Sequence, residues 1–167
     1  PFIMRAWGDL GLDLVTQGKP GLSPVNILKT GLESSDPRTC LEAIVSTVRQ
    51  KRPELADSVA RSLGHTDATL AHVAYRALEA LGAHKSALAV LKNESSSRAQ
   101  RVGASFALKR IHAPEVVDSL EKHLNDPKDN LFIHAFEILA RLYYKEKDWD
   151  EKHWGGRPDT RGPYYEM

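Results

Sequence analysis

Four alanines in register constrain this chain more than any other feature. Ala43, Ala74, Ala104 and Ala135 follow one another at steps of 31, 30 and 31 residues. Each lies in a segment of the same design: DPRTCLEAIVSTV from Asp36, DATLAHVAYRALEAL from Asp67, SSRAQRVGASFALKRI from Ser96 and DPKDNLFIHAFEILARL from Asp126. Four residues after the last three alanines stand Leu78, Leu108 and Leu139, and three further on Leu81, Ile111 and Leu142. In the first copy Thr47 takes the leucine position. Steps of three and four put these side chains on one face of a helix. A period near thirty makes each copy one supersecondary unit that buries its apolar face only against its neighbours. A small residue at a fixed position lets those neighbours approach closely, where bulk would hold them apart.

Each segment opens on a helix N-cap: Asp36, Asp67, Ser96 and Asp126 can accept from the free amides of a first turn. Pro37 and Pro127 fall at the first helical position, where the missing N–H costs nothing. Shorter helices are expected between the long ones. Pro53 opens one with Leu55, Ala56, Val59, Ala60 and Leu63. Pro114 opens another with Val116, Val117, Leu120 and Leu124, and Ala87, Leu88 and Leu91 mark a third. The N-terminal stretch fits the plan, with Ile3, Trp7, Leu10 and Leu14 on one face. A break follows from Gly18 to Gly21, then a helix capped by Ser23, started by Pro24 and carrying Val25, Leu28 and Leu32. The unit is a long helix, a tight turn and a shorter antiparallel helix, with no competing β alternation. It resembles the HEAT and HEAT-like repeats. That resemblance covers about residues 1–146, or about four and a half units. It implies an all-α fold, an α-solenoid (armadillo-type superhelix) of helical hairpins, followed over 147–167 by an irregular extension.

The composition shifts after Leu142: residues 143–165 hold Tyr143, Tyr144, Trp149, Trp154, Tyr164 and Tyr165, six of the chain's twelve aromatic residues. Gly155, Gly156, Pro158, Gly162 and Pro163 forbid a regular helix there. The string from Trp154 to Tyr165, WGGRPDTRGPYY, is similar to a motif of large exported planctomycete-type bacterial proteins, a group labelled membrane-bound dehydrogenases or haem-binding proteins. In them a β-propeller, HEAT repeats and a c-type cytochrome module share one chain. The RPDT and GPYY portions match; His153 and Gly156 replace a tryptophan and a threonine of that motif. The resemblance implies an exported or periplasmic parent protein, and the first residue, Pro1, fits a piece of something longer. With a single cysteine, Cys40, and no CxxCH, the chain offers no haem attachment, so that activity is not carried over. Two uses of the extension stay open. Trp154, Arg157, Asp159, Tyr164 and Tyr165 form a ligand surface for sugar or a neighbouring module, or they cap the apolar end of the helical array.

Composition excludes much else. The balance of 23 basic and 22 acidic residues leaves a net charge of +1. No apolar run is long enough to span a membrane. The seven histidines form no HExxH and no zinc-type pairing, and no P-loop, GxGxxG or GxSxG occurs. Cys40, near a helix start, is expected to be a buried small residue. One charge pattern stands out: no acid lies between Ser95 and His112, and Arg98, Arg101, Ser105, Lys109 and His112 are expected along one helical stripe. Such a stripe can hold nucleic-acid phosphates, although the near-zero net charge argues for a solvated face.

The expected role is a non-catalytic scaffold or protein-interaction module without cofactor or metal, its partner another module of the parent chain or a separate protein. Nucleic-acid binding through Arg98, Arg101 and Lys109 is the alternative, and a third is an enzyme's partner domain that contacts substrate through the aromatic tail. If the tail caps the array, truncation after Asp148 lowers the melting temperature and raises binding of the dye ANS. An unchanged melting curve would leave the aromatic residues to a partner or ligand.

Overall fold

The computed structural model of the chain describes residues 1–10, 23–146 and 165–166. Within them the protein is helical apart from one pair of two-residue strands. The helices are α1 (Phe2–Leu10), α2 (Pro24–Leu32), α3 (Pro37–Arg49), α4 (Ala56–Ala60), α5 (Ala68–Ala80), α6 (His84–Lys92), α7 (Arg98–Leu108), α8 (Pro114–Leu120) and α9 (Phe132–Leu142). Three 3-10 turns adjoin the shorter helices: Pro53–Leu55 leads into α4, Arg61–Gly64 continues it, and Glu121–Leu124 continues α8. Strand β1 (Lys145–Glu146) pairs antiparallel with β2 (Tyr165–Glu166), Lys145 opposite Glu166 and Glu146 opposite Tyr165.

Side-chain caps fix three of the helix starts. The Asp36 carboxylate accepts from the Thr39 amide at 3.0 Å, and Asp67 accepts from Thr69 and Leu70. At α7 the cap is Ser97 rather than Ser96. Ser97 and Gln100 form a reciprocal capping box, each side chain taking the other's backbone N–H, which the S-x-x-Q spacing allows only from Ser97. Ser23 precedes α2 without a side-chain cap bond.

The fourth start departs further from expectation. Asp126 and Pro127 do not begin a helix; α9 starts six residues later, at Phe132. Asp126 accepts instead from the Lys128 amide. Asp129 accepts from the Leu131 amide at 2.7 Å and pairs with His123 Nδ1 at 2.8 Å. These local side-chain bonds compete with helix formation and hold a turn. Helices α3 and α5 end alike: Lys51 and Gly82, one repeat apart, both have positive φ, and the next amide reaches back five residues, Arg52 to Thr47 and Ala83 to Leu78. Gly82 adopts this left-handed position without the steric cost that Lys51 bears.

Packing follows two rows. Helices α1, α3, α5, α7 and α9 each contact the next in that series, as do α2, α4, α6 and α8. Between the rows lie Leu28, Ile44, Leu70, Leu78, Leu91, Leu108, Leu120 and Ile138, all fully buried. Ala43, Ala74, Ala104 and Ala135 each have 0% exposure, as the repeat requires. Gly103 lies so close to the Arg61–Gly64 turn that a Cβ there would fall 2.6 Å from the Leu63 carbonyl oxygen. The expected faces need three corrections. Ile3 is exposed, and α1 instead turns Met4 and Gly8 toward α3, where Ser46 Oγ donates to the Met4 carbonyl. Val117 is exposed, since Val116 already fills the core beneath α8. In α9 Ile138 joins Ala135 as fully buried, while Leu139 packs against the core only partly buried.

Polar ties recur at nearly one repeat length. Arg61–Glu33, Ser86–Asp57, Lys92–Ser119, Ser105–His134, Lys109–Glu137 and Arg110–Glu79 join residues 28, 29, 27, 29, 28 and 31 apart. Exposed pairs of this kind are worth about 0–1 kcal/mol each, so they pin the register of neighbours more than they stabilise the fold.

Ala104→Leu is expected to overpack the contact and lower unfolding free energy by roughly 1–3 kcal/mol. Gly103→Ala destabilises too, because the added Cβ meets backbone, while Ala99→Leu on the exposed side of α7 changes little. Urea denaturation of the three variants checks this; a neutral Ala104→Leu would show that the alanines do not set helix spacing.

Candidate interaction face

Helices α7 and α9 are apolar on two sides. In α7, Ala104 and Leu108 face the core, while Val102 and Phe106, also four apart, lie on another side and are 37% and 47% exposed. In α9, Ala135 and Ile138 are buried while Ile133 and Phe136 are 62% and 58% exposed. The half-buried Tyr75 of α5 extends this strip; its ring centroid lies 5.4 Å from that of Phe106, and its hydroxyl is 2.8 Å from His72 Nδ1. Tyr75, Val102, Phe106 and Ile133 thus form an apolar strip over three successive long helices.

Grooves flank the Val102–Phe106 ridge. The one between α5 and α7, about 430 Å³, is lined chiefly by apolar groups, among them Ala71, Tyr75, Val102 and Phe106. The one between α7 and α9, about 340 Å³, is mixed and holds Arg98, Ser105, Lys109, His134 and Glu137 between Val102, Phe106 and Ile133. Lys109 Nζ lies 2.7 Å from Glu137 Oε2 and 5.5 Å from the Phe106 ring centroid. Ser105 Oγ donates to the Arg101 carbonyl at 2.9 Å and lies 2.9 Å from His134 Nδ1. A hydroxyl has one proton to give, so Nδ1–H of His134 is the donor to Ser105 and Nε2 carries the lone pair of the neutral ring.

The expected stripe does not form one exposed row. Arg98 is exposed at the first position of α7. Arg101 is half-buried, its Nη2 donating to the carbonyls of Asn93 and Glu94 at 3.2 and 3.1 Å, which ties down the loop before its own helix. Ser105 is buried. Lys109 is held by Glu137, and His112 Nε2 is 3.3 Å from the Tyr144 carbonyl. Trp154, Arg157, Asp159 and Tyr164 lie outside the described residues; Tyr165 belongs to β2, paired with Glu146. Neither the grouping of Val102, Phe106 and Ile133 nor the Ser105–His134 bond was among the sequence-based expectations; Phe136 was expected, with Phe132 and Leu139, on an apolar face for the tail to cover. The available signal was a second apolar stripe in α7 and α9, off the alanine register.

Cys40 is buried, its Sγ donating to the Leu32 carbonyl at 3.4 Å. Burial raises its thiol pKa against the lowering effect of Ser62. Among the described residues no group of three or more His, Cys, Asp or Glu side chains could hold a metal ion, and no helix is long and apolar enough to cross a membrane. No family model and no curated protein matches the chain.

His134 offers a test of the groove's electrostatics. Its pKa is lowered, first by burial and then by Arg101, Lys109 and Arg98, with Glu137 opposing. The unfolded chain therefore takes up this proton first as pH falls through about 6.5. Stability is present above that pH and is lost as pH falls toward the depressed folded value. NMR titration is expected to place the His134 midpoint below the ordinary histidine value. A midpoint above it would show that Glu137 outweighs burial and the three cations.

Proposed function

We propose that the chain is a HEAT-like α-solenoid segment that serves as a non-catalytic protein-interaction module, a scaffold within a larger exported protein. Three features support the solenoid: helices packed in two rows, alanines buried at each long helix, and polar ties close to one repeat length. The interaction role is carried by one observation, the exposed apolar residues Val102, Phe106 and Ile133 that border one groove between successive helices. Scattered apolar residues are normal on a protein surface, whereas a contiguous strip beside a groove is a common mark of a binding surface. Partners on this reading are proteins, either other modules of the parent chain or a separate chain. Nucleic acid ranks second: Arg98 is exposed, but Arg101 and Lys109 are already engaged, and a phosphate track needs several cations in a row.

Selection of random twelve-residue peptides displayed on phage, with the immobilised protein as bait, tests the role. Enriched peptides are expected to lose binding at least tenfold to Phe106→Asp and Ile133→Asp, and to keep it with Glu121→Ala on the α8 side. Enriched peptides indifferent to Phe106 and Ile133 would place any interaction elsewhere.

A further inference from the structure

The interaction role leaves open what kind of protein segment the strip takes, and the two grooves differ in a way that answers this. The α5–α7 groove accepts an apolar side chain: Tyr75, Val102 and Phe106 wall it, and its floor includes Ala71 and Gly103. The α7–α9 groove carries charge. Arg98 and Lys109 line it with one carboxylate, Glu137, which is itself held by Lys109. Arg101 spends its guanidinium on two backbone carbonyls. Arg98 remains, an exposed guanidinium at the rim of the groove, beside Val102 one turn on.

The ridge between the grooves is a single helix. Neighbouring packed helices lie about 8–10 Å apart, so an apolar group in one groove and a charged group in the other are separated by a similar distance. A chain crossing the ridge in polyproline-type conformation brings residues i and i+3 to the same side about 9 Å apart. An α-helix does so for i and i+7 at about 10 Å.

We propose that this face recognises an acidic protein segment. A large apolar side chain enters the α5–α7 groove, and a carboxylate three residues away in an extended chain, or seven in a helix, pairs with Arg98. The claim rests on the protein-interaction role above and adds the partner's charge and spacing. A guanidinium favours a carboxylate through paired N–H donors and rejects a lysine. Glu137 at the far end of the groove works against a run of phosphates, while a single carboxylate at Arg98 avoids it.

The test extends the phage selection to three baits: wild type, Arg98→Glu and Phe106→Asp. Arg98 is exposed at a helix N-terminus, where an acid is tolerated, and circular dichroism checks that each bait is folded. Wild-type selection is expected to enrich Asp or Glu three or seven residues from Phe, Leu, Ile or Trp. In synthetic copies of the enriched peptides, read by fluorescence anisotropy, changing the acid to lysine should weaken binding at least tenfold. Arg98→Glu should reverse that preference.

Four results would overturn the proposal. Peptides lost with Phe106→Asp but showing no acid preference would remove the acidic partner and leave the interaction role standing. So would an acid preference that survives Arg98→Glu. Absence of any enriched peptide would remove both. A fluorescein-labelled 20-base-pair duplex that binds wild type with strong salt dependence, loses binding with Arg98→Glu and competes with the peptides would replace the acidic segment by nucleic acid.

Discussion

Close approach at an alanine governs how each long helix meets the next. Ala43, Ala74, Ala104 and Ala135 are fully buried, and Gly103 extends the same economy of volume to the Arg61–Gly64 turn. Only when helices stand this near can Leu70, Leu78, Leu108 and Ile138 fill the space between the rows, each worth about 1.5–3 kcal/mol of burial. The same separation brings Ser105 to His134 and Lys109 to Glu137. Those polar contacts are consequences of spacing, since a few tenths of a kilocalorie each could not impose it.

What was legible in the sequence was what recurs in it. The alanine step, the caps at Asp36 and Asp67 and the core positions of the second helices apart from Val117 follow from local pattern. The start of α9 did not, although Asp126–Pro127 repeats Asp36–Pro37. The difference lies in His123, which reaches Asp129 from the preceding turn and holds the intervening residues out of the helix. The stripe through Arg98 was readable as composition. Its division into one exposed cation, one loop clamp and one ion pair was not, because the deciding groups are backbone carbonyls and a carboxylate a repeat away. Val102 and Phe106 were visible as apolar residues. Which of two apolar stripes faces solvent is settled by the neighbouring helices alone.

The α7–α9 groove combines features that usually exclude one another. It is buried enough to depress the pKa of His134, yet it opens on exposed Ile133 and Arg98. Ser105 is committed on both sides, to the Arg101 carbonyl and to His134, and so serves as a strut between α7 and α9. Arg101 plays the matching part toward the loop before α7. The groove walls are thereby cross-braced without drawing on Arg98.

The two-row packing also bears on how the chain acquires its structure during synthesis. Principal contacts join elements close in sequence; among the longer spans are Met4 with Ser46 and Leu63 with Gly103. Such locality keeps the loop-closure cost of each docking step small. A helix leaving the ribosome therefore finds its docking surface already folded upstream, and its own exposed side is covered once the next helices have emerged. Growth of this kind never leaves more than about one unit's apolar face waiting in solvent, which limits the interval in which a nascent chain can aggregate.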